Sequence, residues 1–463
     1  MFGMTFSTLI EAQDYLFSFR KSNSEQKSAD FSFQRVVHLA KLVGEPQNKI
    51  KVVHVAGTSG KGSTVAIISR LLQGHGMKVG TSISPHLYDI RERASINHQL
   101  LDEAVFLKYI NEIIPAIEQM KDTEYGQASF FEIMIVLAYY IFWKEGVDYA
   151  VMETGAGGRV DATNVANNID KIAVISKIGL DHIDILGKTL KEIAGQKADI
   201  IHEGNVAVSI KQRPTAQKVV EERALTRHAQ FATVIPGKTF RNIKTENSKL
   251  SFDYHYKTLE VKKIQLSLNG LFQVENASLA LSAVYEVSVR DGFSLKEDIV
   301  REVLNSIRTP GRFDEVIIEG KRIIIDGAHN PQKMSAFIRS LKKKHPNTKF
   351  DFLVAFKHGK DYLSMLRYIV PLIDTVYVTK FDFSEQVLPM EGELAENIEL
   401  MLSKKYHVKN IKTIVPVIDA FHQAKKNTKN ILVITGSLYL IAELYRQLHV
   451  IIEQNEENIQ KSA

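Results

Sequence analysis

Short runs rich in β-branched residues alternate along this chain with segments that have the apolar spacing of a helix. The first run, KVVHVA at 51–56, precedes a helical pattern over 63–73, and similar runs follow at 148–153, 171–176 and 205–210. Parallel strands need a long crossover connection, usually a helix, so this alternation is typical of strand–helix–strand units. We therefore predict an α/β fold built on a mostly parallel sheet.

The same alternation begins again in the last third of the chain, after the turn-forming residues 309–311. Between the two series, residues 231–268 are polar with alternating apolar positions, which predicts a local antiparallel excursion on the first domain. We place the domain boundary near 305–311. The prediction is an N-terminal domain over 1–305 and a second α/β domain over 306–463.

The composition excludes several classes of protein. The 463 residues include no cysteine, which excludes disulfide scaffolds, cysteine-ligated zinc, iron–sulfur clusters and thiol nucleophiles. The formal net charge of +6 is modest, and acidic and basic residues are interleaved, so we expect no nucleic-acid partner. No apolar run reaches the roughly 18 residues of a membrane span, and the N-terminus lacks the basic segment of a signal peptide. We expect a cytoplasmic protein that does not bind membranes.

One glycine-rich segment lies directly after the first predicted strand and opens the first helical pattern. It consists of Gly57, Thr58, Ser59, Gly60, Lys61, Gly62 and Ser63. Glycines in such a loop let backbone N–H groups surround phosphate oxygens, and the helix N-terminus adds partial positive charge. A lysine can reach the terminal phosphates, and a serine hydroxyl can face Mg²⁺. The segment, a shorter variant of the common phosphate-loop motif, predicts nucleotide binding.

This loop and eight later blocks resemble the folylpolyglutamate synthase and dihydrofolate synthase family, a branch of the Mur ligase superfamily. The blocks are SPHLYDIRER (84–93), METGAGGRVDATN (152–164), ISKIGLDH (175–182), EIAGQKADII (192–201), NGLFQVENA (269–277), TPGRFD (309–314), IIDGAHNP (324–331) and TGSLYL (435–440). They follow the family's order and cover nearly the whole chain. The resemblance implies an N-terminal P-loop-type ATPase domain that also binds folate, and a C-terminal Rossmann-like glutamate ligase domain.

The resemblance also implies a metal site with two Mg²⁺ ions. A serine, a glutamate and a histidine bind the metals in the family, which implies Ser84, Glu153 and His182 here. From the residues alone, Glu153 ends a buried strand beside a glycine loop, where a carboxylate can hold Mg²⁺ against phosphates. His182 alone would be interpreted as a core or loop histidine. Lys197 alone would be a surface ion pair, but it corresponds to a carbamylated lysine of the family, a further metal ligand.

Two further groups of residues are implied to contact the substrates from the first domain. Ser129, Val160, Asp161 and Ala162 correspond to residues on the pteroate side of the family's pocket. Asn276 corresponds to an asparagine that contacts the adenine of ATP. From the residues alone, the phenylalanines beside Ser129 are equally well interpreted as the core of a helix.

In the second domain, Arg312, Asp326 and His329 are the candidate functional residues. Arginine gives a bidentate, permanently charged contact to phosphate, and Asp326 and His329 follow the strand pattern IIID, at an edge where α/β sheets bind ligands. The resemblance implies that Arg312 and Asp326 face ATP and that His329 lies near the acyl phosphate or the incoming glutamate after domain closure. The predicted catalytic residues are Lys61, Lys197, Asp326 and His329.

Three positions depart from the family's pattern. Ser59 stands where the loop usually has asparagine, Asp199 where the family usually has glycine, and Phe272 where it usually has histidine. A carboxylate two residues from Lys197 changes the expected electrostatics around that lysine. Phenylalanine in place of this histidine is expected to alter the packing of the nucleotide.

These features predict an ATP-dependent ligase of folate biosynthesis and one-carbon metabolism. ATP is the expected co-substrate, and the enzyme would join L-glutamate to dihydropteroate or to a reduced folate through an acyl phosphate. The motifs do not separate dihydrofolate synthase from folylpolyglutamate synthase activity, and a monomer is expected on family grounds. Two alternatives stay open: a cell-wall Mur ligase acting on a nucleotide-linked peptide, which usually has an additional N-terminal domain, and a non-catalytic nucleotide-binding protein.

Overall fold

The computed structural model describes residues 4–19, 29–246, 249–383 and 390–446. These residues form two compact units, and the second takes in two short stretches from before residue 307 as well as the chain from Arg308 onward. The first unit comprises Met1–Glu246, Ser251–Ser267 and Gln273–Ile307, and the second comprises Asn247–Leu250, Leu268–Phe272 and Arg308–Ala463. Within the described ranges, no helix is both long enough and apolar enough to cross a membrane.

Seven strands form the main sheet of the first unit. They are β1 (Lys51–Ala56), β2 (Val79–Ser82), β3 (Ser95–Ile96), β4 (Tyr149–Glu153), β5 (Ile172–Ile175), β6 (Val206–Ile210) and β7 (Gln230–Val234). Their order is β3-β2-β4-β1-β5-β6-β7, and every neighbouring pair is parallel except β2 with β3. This mostly parallel sheet confirms the α/β fold that the strand–helix alternation predicts.

Ten helices precede residue 307 in the described ranges. They are α1 (Leu9–Ser18), α2 (Ala29–Leu42), α3 (Lys61–Gly74), α4 (Glu103–Met120), α5 (Phe130–Lys144), α6 (Ile183–Leu186), α7 (Leu190–Ala198), α8 (Pro214–Thr226), α9 (Leu271–Asp291) and α10 (Glu297–Ser306). Helix α5 is apolar on almost every side because it is buried along nearly its whole length. Ile175 of β5 and Ile193 of α7 belong to one buried cluster that supports the sheet edge carrying the site.

The segment 231–268 differs in part from its prediction. Its first residues belong to β7, which lies parallel to β6 at the edge of the main sheet, so the expectation of an antiparallel excursion is wrong there. An edge strand is only partly buried, which explains its polar composition. The remainder forms a separate three-stranded sheet in the order β10-β9-β8, from β8 (Phe240–Glu246), β9 (Lys249–Tyr256) and β10 (Leu259–Leu266).

The second unit has its own six-stranded sheet. Its described strands are β11 (Asp314–Ile318), β12 (Lys321–Asp326), β13 (Phe350–Val354), β14 (Ile373–Val378), β15 (Asp382–Phe383), β16 (Met390–Glu391), β17 (Ile411–Thr413) and β18 (Ile431–Thr435). Its described helices include α11 (Pro331–Lys344), α12 (Tyr362–Ile369), α13 (Ala395–Leu400) and α14 (Val417–Asn427), and residues 438–446 are also helical. The sheet order is β11-β12-β18-β13-β14-β17, parallel except for β11 with β12, while β15 and β16 pair separately.

Strand register determines which loops meet at the carboxyl edge of the first sheet. Val55 of β1 pairs with Glu153 of β4, and Ala56 pairs with Ile175 of β5. The three strands therefore end side by side. The glycine-rich loop after β1, the carboxylate that ends β4 and the segment after β5 lie at one edge, where parallel α/β sheets bind ligands.

Candidate active site

The predicted phosphate loop connects β1 to α3, and α3 begins at Lys61. The N–H groups of Thr58 and Ser59 both donate to the carbonyl oxygen of Lys177, at 2.9 and 3.0 Å. These two amides are therefore already hydrogen-bonded within the protein and are not available to a phosphate. The first turn of α3, from Lys61 onward, offers further amides to a phosphate, because helix N–H groups there have no partner within the helix.

Two glycines of this loop allow close contacts that any side chain would block. A Cβ at Gly57 would lie 1.9 Å from Oγ of Ser176, which follows β5. Gly60 has φ +90°, and a Cβ there would lie 2.2 Å from Oδ1 of Asn276. Glycine adopts this backbone conformation without the steric cost that other residues incur. Asn276, the predicted adenine contact, thus lies against the phosphate loop itself.

Lys61, Glu153 and Ser84 are brought together at the carboxyl edge. Lys61 Nζ lies 3.8 Å from Glu153 Oε1, and the backbone N–H of Ser84 lies 3.5 Å from Glu153 Oε2. Glu153 is only 6% exposed. A buried carboxylate beside the lysine of a phosphate loop can hold a cation on one side and stay charge-balanced on the other.

Lys197 is buried rather than exposed, being only 3% accessible. Its Nζ donates to the carbonyl oxygen of Gly57 at 2.9 Å, which places the tip of the side chain against the phosphate loop. Burial lowers the pKa of Lys197 to about 7, and the positive charge of Lys61 adds to this effect, whereas Asp181 and Asp161 oppose it. A substantial fraction of this amine is therefore neutral near neutral pH.

The unusual Asp199 is accommodated by a neighbouring helix. Its carboxylate forms an ion pair with Arg223 of α8, and its backbone carbonyl accepts from Asn164 Nδ2 at 3.2 Å. Burial raises the pKa of Asp199, and the charges of Arg223, Arg159 and Arg227 oppose the shift. The acids that act on Lys197 are Asp181 and Asp161 instead, so the departure at Asp199 leaves the surroundings of Lys197 intact.

His182 differs from the other predicted metal ligands because its side chain is exposed. It precedes α6 with φ 50°, and its backbone N–H donates to Oδ1 of Asp181 at 3.0 Å. Across the described ranges, no group of three or more His, Cys, Asp or Glu side chains is arranged to hold a metal ion. A cation here needs ligands from elsewhere, such as water or the phosphates of a nucleotide.

On the predicted pteroate side, Ser129 caps α5. Its Oγ accepts from Glu132 N at 3.4 Å, and its own N–H donates to Glu132 Oε2 at 2.7 Å. Both carboxylate oxygens of Glu132 also accept hydrogen bonds from the guanidinium of Arg35, from Nε at 2.8 Å and from Nη2 at 2.7 Å. This ion pair is buried. The position of Ser129 therefore depends on a bidentate ion pair that links α2 to α5.

Asp161 organises the loop that contains Val160 and Ala162. Its carboxylate accepts from Ala156 N at 2.7 Å and from Thr163 Oγ1 at 2.6 Å. Because the Thr163 hydroxyl donates to Asp161, it accepts from Nε2 of the buried His54 at 2.7 Å. Burial raises the pKa of Asp161 and lowers that of His54. Val160 is half-buried and Ala162 is buried.

In the second unit, Asp326 ends β12 and is 5% exposed. Its carboxylate accepts from the backbone N–H groups of Phe313 and Ala328, each at 2.9 Å. Burial raises the pKa of Asp326 to about 6, while the charge of Arg312 opposes the shift. His329 follows within the same turn, where Nδ1 lies 2.8 Å from the carbonyl oxygen of Gly327 and Nε2 lies 2.8 Å from Nζ of Lys333.

Sequence reasoning missed several residues of the site. Arg35 and His54 lie far along the chain from the residues that they contact, so no local motif marks them. Lys333 belongs to α11, which begins after His329, so no helical spacing connects the two residues in the sequence. Phe272, one of the departures, packs against the hydrophobic core of the second unit.

Two family models match most of this chain. The Mur ligase middle domain matches residues 55–284, and the C-terminal domain of dihydrofolate synthetase matches residues 313–447. The dihydrofolate synthase/folylpolyglutamate synthase of Bacillus subtilis (strain 168) is 32% identical over 415 residues, which cover 89% of this chain and 94% of that protein.

Two solved structures are similar over nearly their whole lengths. The folylpolyglutamate synthase of Mycobacterium tuberculosis, complexed with ADP and AMPPCP, has a TM-score of 0.83 at 27% identity, covering 94% of this chain and 98% of that one. E. coli FolC in complex with DHPP and ADP has a TM-score of 0.79 at 25% identity, covering 97% and 99%. The chain therefore belongs to the dihydrofolate synthase/folylpolyglutamate synthase family of ATP-dependent ligases.

Proposed function

We propose that this protein uses ATP to join L-glutamate to the carboxylate of a pteroate or folate through an acyl phosphate. The observation that carries the proposal is the arrangement at the carboxyl edge of the first sheet. There Lys61 begins a helix behind a glycine loop, and its Nζ lies 3.8 Å from the buried carboxylate of Glu153. Lysine, helix amides and a cation-holding carboxylate are the groups that phosphoryl transfer from ATP requires.

In the first step, the carboxylate of the acceptor attacks the γ-phosphorus of ATP, and ADP leaves. Lys61 and the first-turn amides of α3 face the negative charge of the transferring group and stabilise it without having to reorganise. In the second step, the amine of L-glutamate attacks the carbonyl carbon of the acyl phosphate. Inorganic phosphate leaves with one of the two original carboxylate oxygens, and an amide remains.

The donor set of the first unit fits Mg²⁺ delivered with a nucleotide. Mg²⁺ usually takes one or two carboxylates and fills the rest of its shell with water and phosphate oxygens, and Glu153 supplies one buried carboxylate. We propose that Glu153, Ser84, His182 and Lys197 hold two such ions. When bound, Mg²⁺ neutralises part of the phosphate charge and orients the γ-phosphate.

Lys197 takes part in this proposal as its carbamate. A neutral amine adds CO₂ and becomes an anionic oxygen ligand, whereas an ammonium does neither. Two observations support the proposal: burial lowers the pKa of Lys197 to about 7, and its Nζ contacts the carbonyl oxygen of Gly57 in the phosphate loop. The carbamate would lie beside the transferring phosphate.

We assign separate groups of substrate-binding residues to the two domains. The first domain, a P-loop-type ATPase domain over 1–305, binds ATP and the pteroate or folate through residues 57–63 and 160–162, together with Ser129 and Asn276. The Rossmann-like second domain, over 306–463, contributes Arg312, Asp326 and His329 to nucleotide and glutamate handling. The parallel sheets of both units support this assignment, because each places its candidate residues at strand ends.

The choice of acceptor is decided by a direct assay. Purified protein with ATP and Mg²⁺ is supplied with glutamate and, in separate reactions, with dihydropteroate, tetrahydrofolate or a nucleotide-linked cell-wall peptide. We expect ADP release that needs both glutamate and a pteroate or folate. Turnover with the cell-wall peptide alone would favour a Mur ligase, and no turnover with any acceptor would favour a non-catalytic nucleotide-binding protein.

We also propose that the protein acts in the cytoplasm as a monomer. ATP and glutamate are abundant in that compartment, and the resemblance to the family implies a monomer. Light scattering over a range of concentrations tests the oligomeric state. A mass of one chain at the concentrations that give full activity is expected, whereas activity that rises with the fraction of dimer would contradict the proposal.

A further inference from the structure

His54 is a buried histidine in the interior of β1, the strand that leads to the phosphate loop. Its Nε2 lies 2.7 Å from Oγ1 of Thr163. Among the residues that the structure describes, none forms a hydrogen bond with Nδ1, although this atom is also buried. An unsatisfied polar atom in a core is costly, so packing alone does not account for a histidine at this position.

The partners of Thr163 fix which nitrogen of His54 carries the proton. The Thr163 hydroxyl donates its one hydrogen to Oδ1 of Asp161 at 2.6 Å, because a carboxylate can only accept. The same oxygen can then only accept from His54, so the proton is on Nε2 and not on Nδ1. Burial lowers the pKa of His54, and the charges of Lys171 and His202 add to the effect, so the ring is neutral.

This chain of hydrogen bonds ends in the loop that is assigned to the acceptor, residues 160–162. The second carboxylate oxygen of Asp161 accepts from the backbone N–H of Ala156 at 2.7 Å, and Oδ1 also accepts from the backbone N–H of Thr163 at 3.1 Å. Hydrogen bonds to a charged group are shorter and stronger than neutral ones. The carboxylate therefore ties the two ends of this loop together, and its orientation depends on the hydroxyl that His54 holds.

We propose that His54 is a positioning residue for the pteroate or folate acceptor. Its Nε2–H fixes the rotamer of the Thr163 hydroxyl, which orients Asp161 and with it the loop 160–162. His54 acts through these residues and does not touch the acceptor, because its side chain is fully buried. This inference rests on the proposed function, because it takes the acceptor to be a pteroate or folate. It extends the acceptor site into β1, where no sequence block assigns a function to the histidine.

The kinetic test uses the different reach of two amide side chains. The amide nitrogen of glutamine reaches the place of Nε2, whereas that of asparagine reaches only the place of Nδ1. We expect His54→Asn to raise the KM for the acceptor about tenfold while the KM for ATP stays unchanged, and His54→Gln to restore most of the acceptor affinity. An equal rise in both variants would show that His54 acts through packing.

Thr163 provides a second pair of variants. Thr163→Val removes the hydroxyl and should raise the acceptor KM as much as His54→Asn does, whereas Thr163→Ser keeps the hydroxyl and should stay near the wild type. Because the two residues act through one chain of hydrogen bonds, His54→Asn combined with Thr163→Val should be no worse than either change alone. Effects that add fully would contradict a shared path.

The control is Thr81→Val, which removes a buried hydroxyl from β2. Oγ1 of Thr81 bonds to Oγ of Ser69 at 2.9 Å and has no part in the acceptor loop. We expect Thr81→Val to lower the melting temperature about as much as Thr163→Val does and to leave the acceptor KM unchanged.

A spectroscopic test reads the contact without turnover. With ¹⁵N-labelled histidine, the ring signals of His54 are assigned by their loss in His54→Gln. In the wild-type protein we expect a protonated Nε2 and an unprotonated Nδ1 at neutral pH. The Nε2 signal should shift in Thr163→Val and stay in place in Thr81→Val. A proton on Nδ1 instead would overturn the positioning contact.

These tests separate failure of this inference from failure of the proposed function. An unchanged acceptor KM in His54→Asn and Thr163→Val, or an equal rise in Thr81→Val, overturns the role of His54 while turnover by the wild type still stands. A wild-type protein that turns over neither a pteroate nor a folate overturns the proposed function and the positioning role together.

Discussion

At the scale of single residues, Lys61 has a position suited to chemistry rather than to folding. It is the first residue of α3, and its Nζ lies 3.8 Å from Oε1 of Glu153, the buried carboxylate that ends β4. We expect Lys61→Met to lower turnover on the order of 10²-fold, as expected when a preorganised charge is removed from phosphoryl transfer. Steady-state ADP release measures the effect.

The control for this prediction is Lys41→Met, which changes an exposed lysine of α2. Melting curves should show that both variants are folded. Near-normal turnover of a folded Lys61→Met protein would remove this lysine from the phosphoryl-transfer step.

Lys197 gives a pH dependence with a definite sign. Its pKa is lowered to about 7, so the amine is neutral above that pH and protonated below it. Only the neutral form adds CO₂, and we therefore expect turnover to fall as the pH drops through about 7 and to recover in part when CO₂ is supplied. Initial rates with and without added bicarbonate measure this.

Substitution tests the same residue independently. Lys197→Ala should lose most activity and regain part of it with a short carboxylic acid in the buffer, whereas Lys191→Ala, exposed on the same helix, should behave as the wild type. Full activity of Lys197→Ala without any additive would exclude a carbamate ligand.

At the scale of elements, the buried pair of Arg35 and Glu132 connects α2 with α5 and supports the cap at Ser129. Glu132→Gln leaves a buried guanidinium without its counter-charge, and we expect the free energy of unfolding to fall by about 3–5 kcal/mol. Urea unfolding measures it.

A matched surface pair provides the comparison. Lys218 and Glu222 on α8 are 77% and 58% exposed, so Glu222→Gln should change the free energy of unfolding by less than about 1 kcal/mol. Equal effects of the two substitutions would show that the buried pair does not hold the two helices together.

Most elements could be predicted because their patterns are local. The strands at β1, β4, β5 and β6 are short apolar runs bounded by turns, and each occurs within a residue or two of its expected place. β7 was assigned to the wrong sheet because an edge strand and an antiparallel strand are both half-exposed. β15 and β16 have two residues each, too few to give a period.

The site could be predicted only where one motif contains it. The phosphate loop and Glu153 are each readable from strand–loop context. The contact from Lys197 to Gly57 spans 140 positions and the pair of Arg35 with Glu132 spans 97, so both depend on the completed fold. The hydrogen bonds from the Thr58 and Ser59 amides to the carbonyl oxygen of Lys177 likewise cannot be predicted from the loop sequence.

At the scale of the whole molecule, the chain has two units, each with a mostly parallel sheet and candidate residues at strand ends. An acyl phosphate must be protected from hydrolysis until the amine arrives. When an acyl phosphate forms and is then attacked by the amine, one oxygen of the acceptor carboxylate is transferred to the released phosphate.

The most direct measurement follows ¹⁸O from the carboxylate of the acceptor. A pteroate or folate labelled on both oxygens of the reacting carboxylate is incubated with ATP, glutamate and the enzyme, and the released phosphate is analysed by mass spectrometry or ³¹P NMR. We expect one ¹⁸O in each phosphate released per amide formed. Amide product accompanied by unlabelled phosphate would contradict it.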